Sequence, residues 1–272
     1  MANLPAHDCW FLTGVTATGK TRIALALAHA LDAEIISLDS MAVYRGMDVG
    51  TAKPIAEQQA DTPHHLIDVV DPHEDYSVAQ YVEAAHATIA EIRARGREAL
   101  FVGGTPLYLK ALLRGLFDGP PANWRLRLEI EREVEEVGAH ALHQRLEQVD
   151  PVAASAIHPN DARRLIRAIE VYRATGQPIS HLQMEFDDAL PADECRVFVL
   201  RRPRAEQNER IDARVDDMLD RGLVDEVRRL TADGRQLGRT ASQAVGYSEV
   251  IEHLAGQCDD ATMVARIKAR TR

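Results

Sequence analysis

Gly14-Val15-Thr16-Ala17-Thr18-Gly19-Lys20-Thr21 spells G-x-x-x-x-G-K-T, and the reading of this 272-residue chain turns on that stretch. The glycines allow successive backbone N–H groups to turn inward around a phosphate. Lys20 adds positive charge at the outer phosphates, and the Thr21 hydroxyl is placed to ligate Mg²⁺. The context fits a phosphate-binding loop (P-loop): apolar Cys9-Trp10-Phe11-Leu12 leads into it as a strand, and Arg22–Ala28 leaves it with a helical pattern. A bound anion would sit on a helix N-terminus, where unpaired N–H groups and the helix dipole favour negative charge.

Outward from the loop, residues up to about 115 alternate short apolar runs with helical patterns. Strands are expected at Cys9–Thr13, Glu34–Leu38, Leu66–Val70 and Ala99–Val102, with a long amphipathic helix over Ser77–Arg95. Short buried strands alternating with helices specify an α/β fold with a parallel sheet, whose ligands bind at the carboxyl ends of the strands. Gly14–Thr21, Asp39-Ser40 and Gly103-Gly104-Thr105 all fall at such ends.

After a break at Asp118-Gly119-Pro120-Pro121 the pattern is purely helical from about Trp124 to Met184, with helix-start signals at Asp150-Pro151 and His158–Asp161. Arg196–Leu200 reads as one more strand returning to the sheet, followed by helices. The expected organisation is a P-loop NTPase-like parallel sheet flanked by helices, residues 1–116 with 195–272, interrupted by an all-helical insertion, 117–194.

Hydrophobic residues make up 46% and charged residues 27%, which suits a soluble globular enzyme. No apolar run approaches about 18 residues, and the first residues lack a signal peptide's basic start and apolar core, so a cytoplasmic protein without a membrane span is expected; a monomer is expected separately. Cys9, Cys195 and Cys258 are odd in number and far apart, which excludes a disulfide frame or a zinc site. The net charge of −10 argues against a general nucleic-acid binder but permits a local basic groove. Arginines cluster at 163, 164, 167 and 173, at 201, 202 and 204, and from 266 to 272. Each cluster is open to two readings, a solvated face or a phosphate-contacting groove.

Asp39 directly follows a buried strand, so its carboxylate is expected to face the P-loop across the top of the sheet. It suits either a water-bridged Mg²⁺ contact or a general base, and spacing does not decide between them. It opens the run Asp39-Ser40-Met41-Ala42-Val43-Tyr44-Arg45-Gly46-Met47-Asp48-Val49-Gly50-Thr51-Ala52-Lys53-Pro54. That run, GVTATGKT at 14–21, PHHLID at 63–68, VGGTPLYLKALLRGL at 102–116 and IHPNDARRLIRAIEVYRATG at 157–176 together resemble the bacterial tRNA dimethylallyltransferase (isopentenyltransferase) family over nearly the whole chain. Arg210-Ile211-x-x-Arg214, the Gly222–Val227 segment and Ala244-Val245-Gly246-Tyr247 extend the likeness.

The resemblance implies transfer of a dimethylallyl group from dimethylallyl diphosphate to the exocyclic N6 amine of the adenine 3′ of the anticodon in tRNA. Diphosphate would be held by Gly14, Val15, Thr16, Ala17, Thr18, Gly19, Lys20, Thr21 and Arg214, with Mg²⁺ on Thr21. Asp39 would take the amine proton, and Thr105 would line the reaction channel. Contacts to tRNA would come from Asp39, Ser40, Met41, Ala42, Thr105, Arg127, Arg163, Arg164, Leu165, Ile166, Arg167, Gln243, Gly246 and Tyr247. Arginine pairs with phosphates and stacks on unpaired bases, which suits a loop reader.

Val15 and Thr18 depart from the family's usual Pro and Ser, and Pro106 from its usual Gly. Pro106 is expected to stiffen the turn after Thr105. The family pattern runs on past Arg272 into a basic, aromatic-containing helix that grips the anticodon stem-loop, so a truncated chain is expected. Rival readings are a small-molecule kinase using the loop for ATP, an adenylate isopentenyltransferase acting on free AMP or ADP, and an RNA-binding switch without transfer chemistry. Structural roles are expected for His64 and His65, surface positions for His140 and His143, turn or cap roles for Asp68, Asp71 and Asp75, and packing for Trp124.

Overall fold

The computed structural model describes residues 6–116, 119–183 and 194–272. The expected break at Asp118 and the end of the helical stretch at Met184 lie outside the described residues. The chain divides into two compact units, one formed by residues up to Leu113 with those after the helical stretch, the other beginning at Arg114.

The first unit runs β1 (Trp10–Thr13), α1 (Lys20–Leu31), β2 (Ala33–Leu38), α2 (Ala56–Asp61), β3 (His64–His65), α3 (Val78–Ala94), β4 (Glu98–Gly103) and α4 (Pro106–Arg114). Its strands pair in parallel in the order β3-β2-β4-β1-β5, with β5 (Val197–Val199, defined below) at one edge. Every residue of β2 is buried, as a strand covered on both faces must be. Small Ala24 and Ala28 let α1 lie closely on Leu12, Ile35 and Leu100. Opposite faces alternate along the strands, so the paired Phe11 and Phe101 stack with centroids 4.9 Å apart. Ser77 caps α3 by accepting the Gln80 N–H.

One strand differs from expectation. The apolar run Leu66–Val70 is not a strand: Leu66 and Asp68 adopt left-handed φ of 57° each, and only Val70 bridges to Tyr44. The strand is instead the preceding His64–His65, paired with Ile35 and Ile36. Asp68 also does more than turn the chain, since its carboxylate pairs with buried Lys53 at 2.6 Å.

The second unit comprises α5 (Trp124–Val137), α6 (Ala139–Val149), α7 (Pro151–Ala156), α8 (Ala162–Thr175) and α9 (Ile179–Gln183) around Ile130, Leu142, Leu146, Leu165 and Ile169. Asn123, Asp150 and Asp161 cap α5, α7 and α8. His140 is exposed, but His143 is buried, with Nε2 3.0 Å from the Ala154 carbonyl oxygen and 3.1 Å from that of Ile157. The apolar face of α6 carries it inward, against the surface position expected from its polar neighbours.

The first unit resumes with β5, α10 (Arg204–Asp220), α11 (Leu223–Leu230), a 3₁₀ turn, α12 (Arg239–Ser242), α13 (Tyr247–Leu254) and α14 (Asp260–Thr271). These helices enclose a core of Val43, Tyr44, Ile211, Val215, Leu223, Tyr247 and Val250. The segment after β2 is thereby packed against helices more than 160 residues away in sequence.

Candidate active site

The P-loop joins β1 to α1 as its sequence requires. Gly14 has φ +145°, and a Cβ there would meet the Leu200 carbonyl oxygen at 2.5 Å; Gly19 has φ +93° at the start of α1. Only glycine takes these positions without strain. The Thr18 hydroxyl is buried and donates to the Val15 carbonyl at 2.9 Å, bracing the loop from inside by a bond that a serine hydroxyl could equally make. Val15 is 55% exposed and leaves the backbone cradle open.

Lys20 Nζ donates to the Gly14 and Val15 carbonyls at 2.7 and 2.8 Å. Burial, and then the neighbouring Arg214 cation, lower its pKa to about 8, while Asp39 acts in the opposite sense. Arg214 Nη1 reaches the Thr16 hydroxyl at 3.2 Å, and its own pKa is lowered chiefly by burial. Two further arginines close on the loop: Arg202 Nε donates to the Thr18 carbonyl at 2.9 Å and Arg210 Nε to that of Ala17 at 2.8 Å. Sequence reasoning did not assign either of them. The available signal is spacing, because Arg210 lies one helical turn before Arg214 on the same face of α10.

Asp39 follows the last residue of β2. Its Oδ1 accepts the backbone N–H groups of Met41 (2.8 Å) and Ala42 (3.3 Å), which fixes the carboxylate's orientation. The Ser40 N–H donates to Thr105 Oγ1 at 3.0 Å, tying the end of β2 to the turn after β4. That turn depends on Gly103, where a Cβ would lie 2.1 Å from the Leu38 carbonyl oxygen. Pro106 is the first residue of α4, a position where its missing N–H has no helical partner to lose and its fixed φ suits the helix.

These groups share a cavity of about 660 Å³, lined by P-loop residues Thr16–Thr21 other than Thr18, by Asp39, Ala42, Thr51–Pro54, Gly103–Thr105, Arg210 and Arg214. Its lining is mixed, polar at the loop and arginines and apolar at Ala24, Ile35, Ala52, Pro54, Ile67 and Val102. His64 lines it too, with Nδ1 2.7 Å from the Thr62 carbonyl oxygen, whereas His65 bonds Glu34. Among the described residues no group of three or more His, Cys, Asp or Glu is arranged to hold a metal. Thr21 is exposed on the cavity wall, and no hydrogen bond engages its hydroxyl among the described residues. A hard oxygen donor of this kind suits Mg²⁺ that takes most of its remaining ligands from phosphate and water.

The expected RNA-facing residues fall into distinct environments. Asp39 and Thr105 are half-buried and line the cavity, and Ala42 is buried in its wall, whereas Ser40 and Met41 are half-buried and do not line it. Arg163, Arg164 and Gln243 are exposed, and Ile166 is partly buried. Leu165 and Tyr247 are fully buried, so their side chains serve as core and cannot touch RNA; Gly246 is buried as well, with φ +95°. Arg127 and Arg167 are partly buried and pair with the buried carboxylate of Glu170 at 2.9 and 2.6 Å. Arg127 also lies over the ring of Trp124, 5.0 Å from its centroid, though Trp124 remains 42% exposed. Arg173 is taken up by Glu133 at 2.7 Å.

The model of the IPP transferase family matches residues 42–272. The chain is 48% identical to tRNA dimethylallyltransferase of Rhodopirellula baltica, over 97% of this chain and 82% of that protein. It is 46% identical to the enzyme of the same description from Thermotoga maritima, over 95% and 84%. Among solved structures, full-length tRNA isopentenylpyrophosphate transferase from Bacillus halodurans superposes with TM-score 0.66 at 38% identity, covering 97% of this chain and 82% of that one. A eukaryotic dimethylallyltransferase captured acting on tRNA superposes with TM-score 0.78 at 28% identity, covering 97% and 66%.

Proposed function

The chain belongs to the IPP transferase family, and on that premise we propose how its cavity carries out the reaction. The enzyme transfers a dimethylallyl group to the exocyclic N6 amine of the adenine 3′ of the anticodon in tRNA, releasing diphosphate. The observation that carries the assignment of roles is the convergence of the P-loop, Asp39 and Thr105 on one cavity.

Dimethylallyl diphosphate lies with its phosphates on the N–H groups of Thr16–Thr21 and its charge met by Lys20 and Arg214. Mg²⁺ on Thr21 would add neutralising charge at the diphosphate. The adenine leaves its stack to enter the cavity, as a base must to reach a buried centre. Its N6 attacks C1 of the allyl group; the C1–O bond breaks, and diphosphate departs with the electron pair. Preorganised cations stabilise that leaving group without reorganising as charge develops. Asp39, held by the Met41 and Ala42 N–H groups, accepts the proton released from N6.

Asp39–Ala42, Thr105, Arg163, Arg164 and Gln243 are the proposed RNA contacts, with Arg127 and Arg167 acting through Glu170 to hold the helical unit's surface. Among the described residues no helix is long and apolar enough to cross a membrane. Incubation with dimethylallyl diphosphate labelled in the allyl group and an anticodon stem-loop tests the reading. Label on the adenine is expected; ATP turnover with no label transfer would overturn it.

A further inference from the structure

Glu226 sits in the first turn of α11 and is 2% exposed. Its Oε2 accepts the backbone N–H groups of Asp48 at 3.0 Å and Val49 at 2.8 Å. Its Oε1 accepts the N–H of Gly50 at 3.2 Å and the hydroxyl of Tyr247 at 2.6 Å. A buried carboxylate is costly unless its lone pairs are met, and here four donors meet them. Three of the four are consecutive backbone groups, so what Glu226 fixes is the course of the chain at 48–50.

Tyr247 is the fourth anchor. Burial, and then the Glu226 charge, push its phenol far above the ordinary range, so it remains a donor at any physiological pH. Gly50 closes on its ring so tightly that a Cβ would lie 2.5 Å from a ring carbon. The residues that follow, Thr51–Pro54, form a wall of the cavity that also holds Asp39. Lys53 carries the order onward: its Nζ donates to the Tyr44 carbonyl at 2.5 Å and pairs with Asp48 at 2.7 Å. A continuous run of contacts thus links Glu226 to the segment that bears Asp39.

We propose that Glu226 is a positioning residue for the transfer step, holding the 48–54 wall so that the acceptor amine and the Asp39 carboxylate keep their alignment. The proposal rests on the transferase reading. It separates acceptor alignment from diphosphate binding, which falls to the P-loop and Arg214, groups that Glu226 does not touch.

The test compares wild type, Glu226→Gln and Tyr247→Phe in steady-state transfer of labelled dimethylallyl groups to an anticodon stem-loop, with thermal melts of each. Wild-type transfer checks the reading itself; the variants, relative to wild type, check the inference. Tyr247→Phe removes one bond of four and is expected to lower kcat about fivefold, and Glu226→Gln about thirtyfold or more, with KM for dimethylallyl diphosphate within about twofold of wild type in both. A loss of kcat under about threefold in both variants, or a loss matched by an equal rise in that KM, overturns the proposal. Should Glu226→Gln fail to fold, Tyr247→Phe decides by the same two criteria.

Discussion

The backbone N–H of Ser40 donates to Oγ1 of Thr105 at 3.0 Å, joining the carboxyl end of β2 to the turn that follows β4. Asp39 immediately precedes Ser40, so this bond sets where its carboxylate begins. Thr105→Val keeps the shape but leaves the Ser40 N–H unpaired. The expected result is a fall in kcat of about tenfold, the equivalent of one lost hydrogen bond, with most activity recovered in Thr105→Ser. Steady-state kinetics of the two variants check it.

Lys20 titrates near pH 8 because its burial and the Arg214 charge disfavour the ammonium. The cation is present below that value and lost above it, while a bound diphosphate requires it. Affinity for dimethylallyl diphosphate is therefore full at pH 7 and weakens as pH rises through about 8, approaching tenfold per unit. Equilibrium binding between pH 6 and 10 checks this, and a flat profile contradicts it.

Gly103→Ala would force a Cβ to within 2.1 Å of the Leu38 carbonyl oxygen. Backbone has no rotamer by which to yield, so β4 must shift from β2. A destabilisation of about 2–4 kcal/mol is expected in urea denaturation, with a loss of turnover as Thr105 moves away from Ser40.

The parts of this site that lie within one short stretch are legible in the sequence. Gly14–Thr21 announces its conformation through its own glycines, and Asp39 is placed by the apolar run before it. Leu66–Val70 misleads because its apolar character serves loop packing, while the strand uses two histidines whose polar atoms bond Thr62 and Glu34. Glu226, and the core role of Tyr247 in place of the RNA contact expected of it, are hidden for another reason. The backbone groups that Glu226 binds lie more than 170 residues away at Asp48–Gly50, and no local periodicity encodes such a contact. Arg127 and Arg167, expected as RNA contacts, are instead engaged by Glu170, whose burial beneath them no local pattern announces.

Glu34, near the start of β2 and away from Asp39, has its pKa pulled down to about 2 by hydrogen bonds from Arg95, with His65 adding to the effect. Its folded value lies below its ordinary 4.5, so its contribution to stability is present above that pH and is lost as pH falls through about 2. The stability difference between wild type and Glu34→Gln should therefore shrink steadily from pH 5 to pH 2.5, as read by chemical denaturation. A difference independent of pH across that range contradicts the assignment.

The central claim is that the P-loop here holds a leaving group and that no phosphoryl group moves. Dimethylallyl diphosphate carrying ¹⁸O in the bridge between C1 and the α-phosphorus tests it most directly, in a single turnover with an anticodon stem-loop. The account predicts that all of the ¹⁸O leaves in diphosphate while the adenine gains the allyl group. Recovery of ¹⁸O in dimethylallyl alcohol, or phosphate transferred to the RNA, would contradict it.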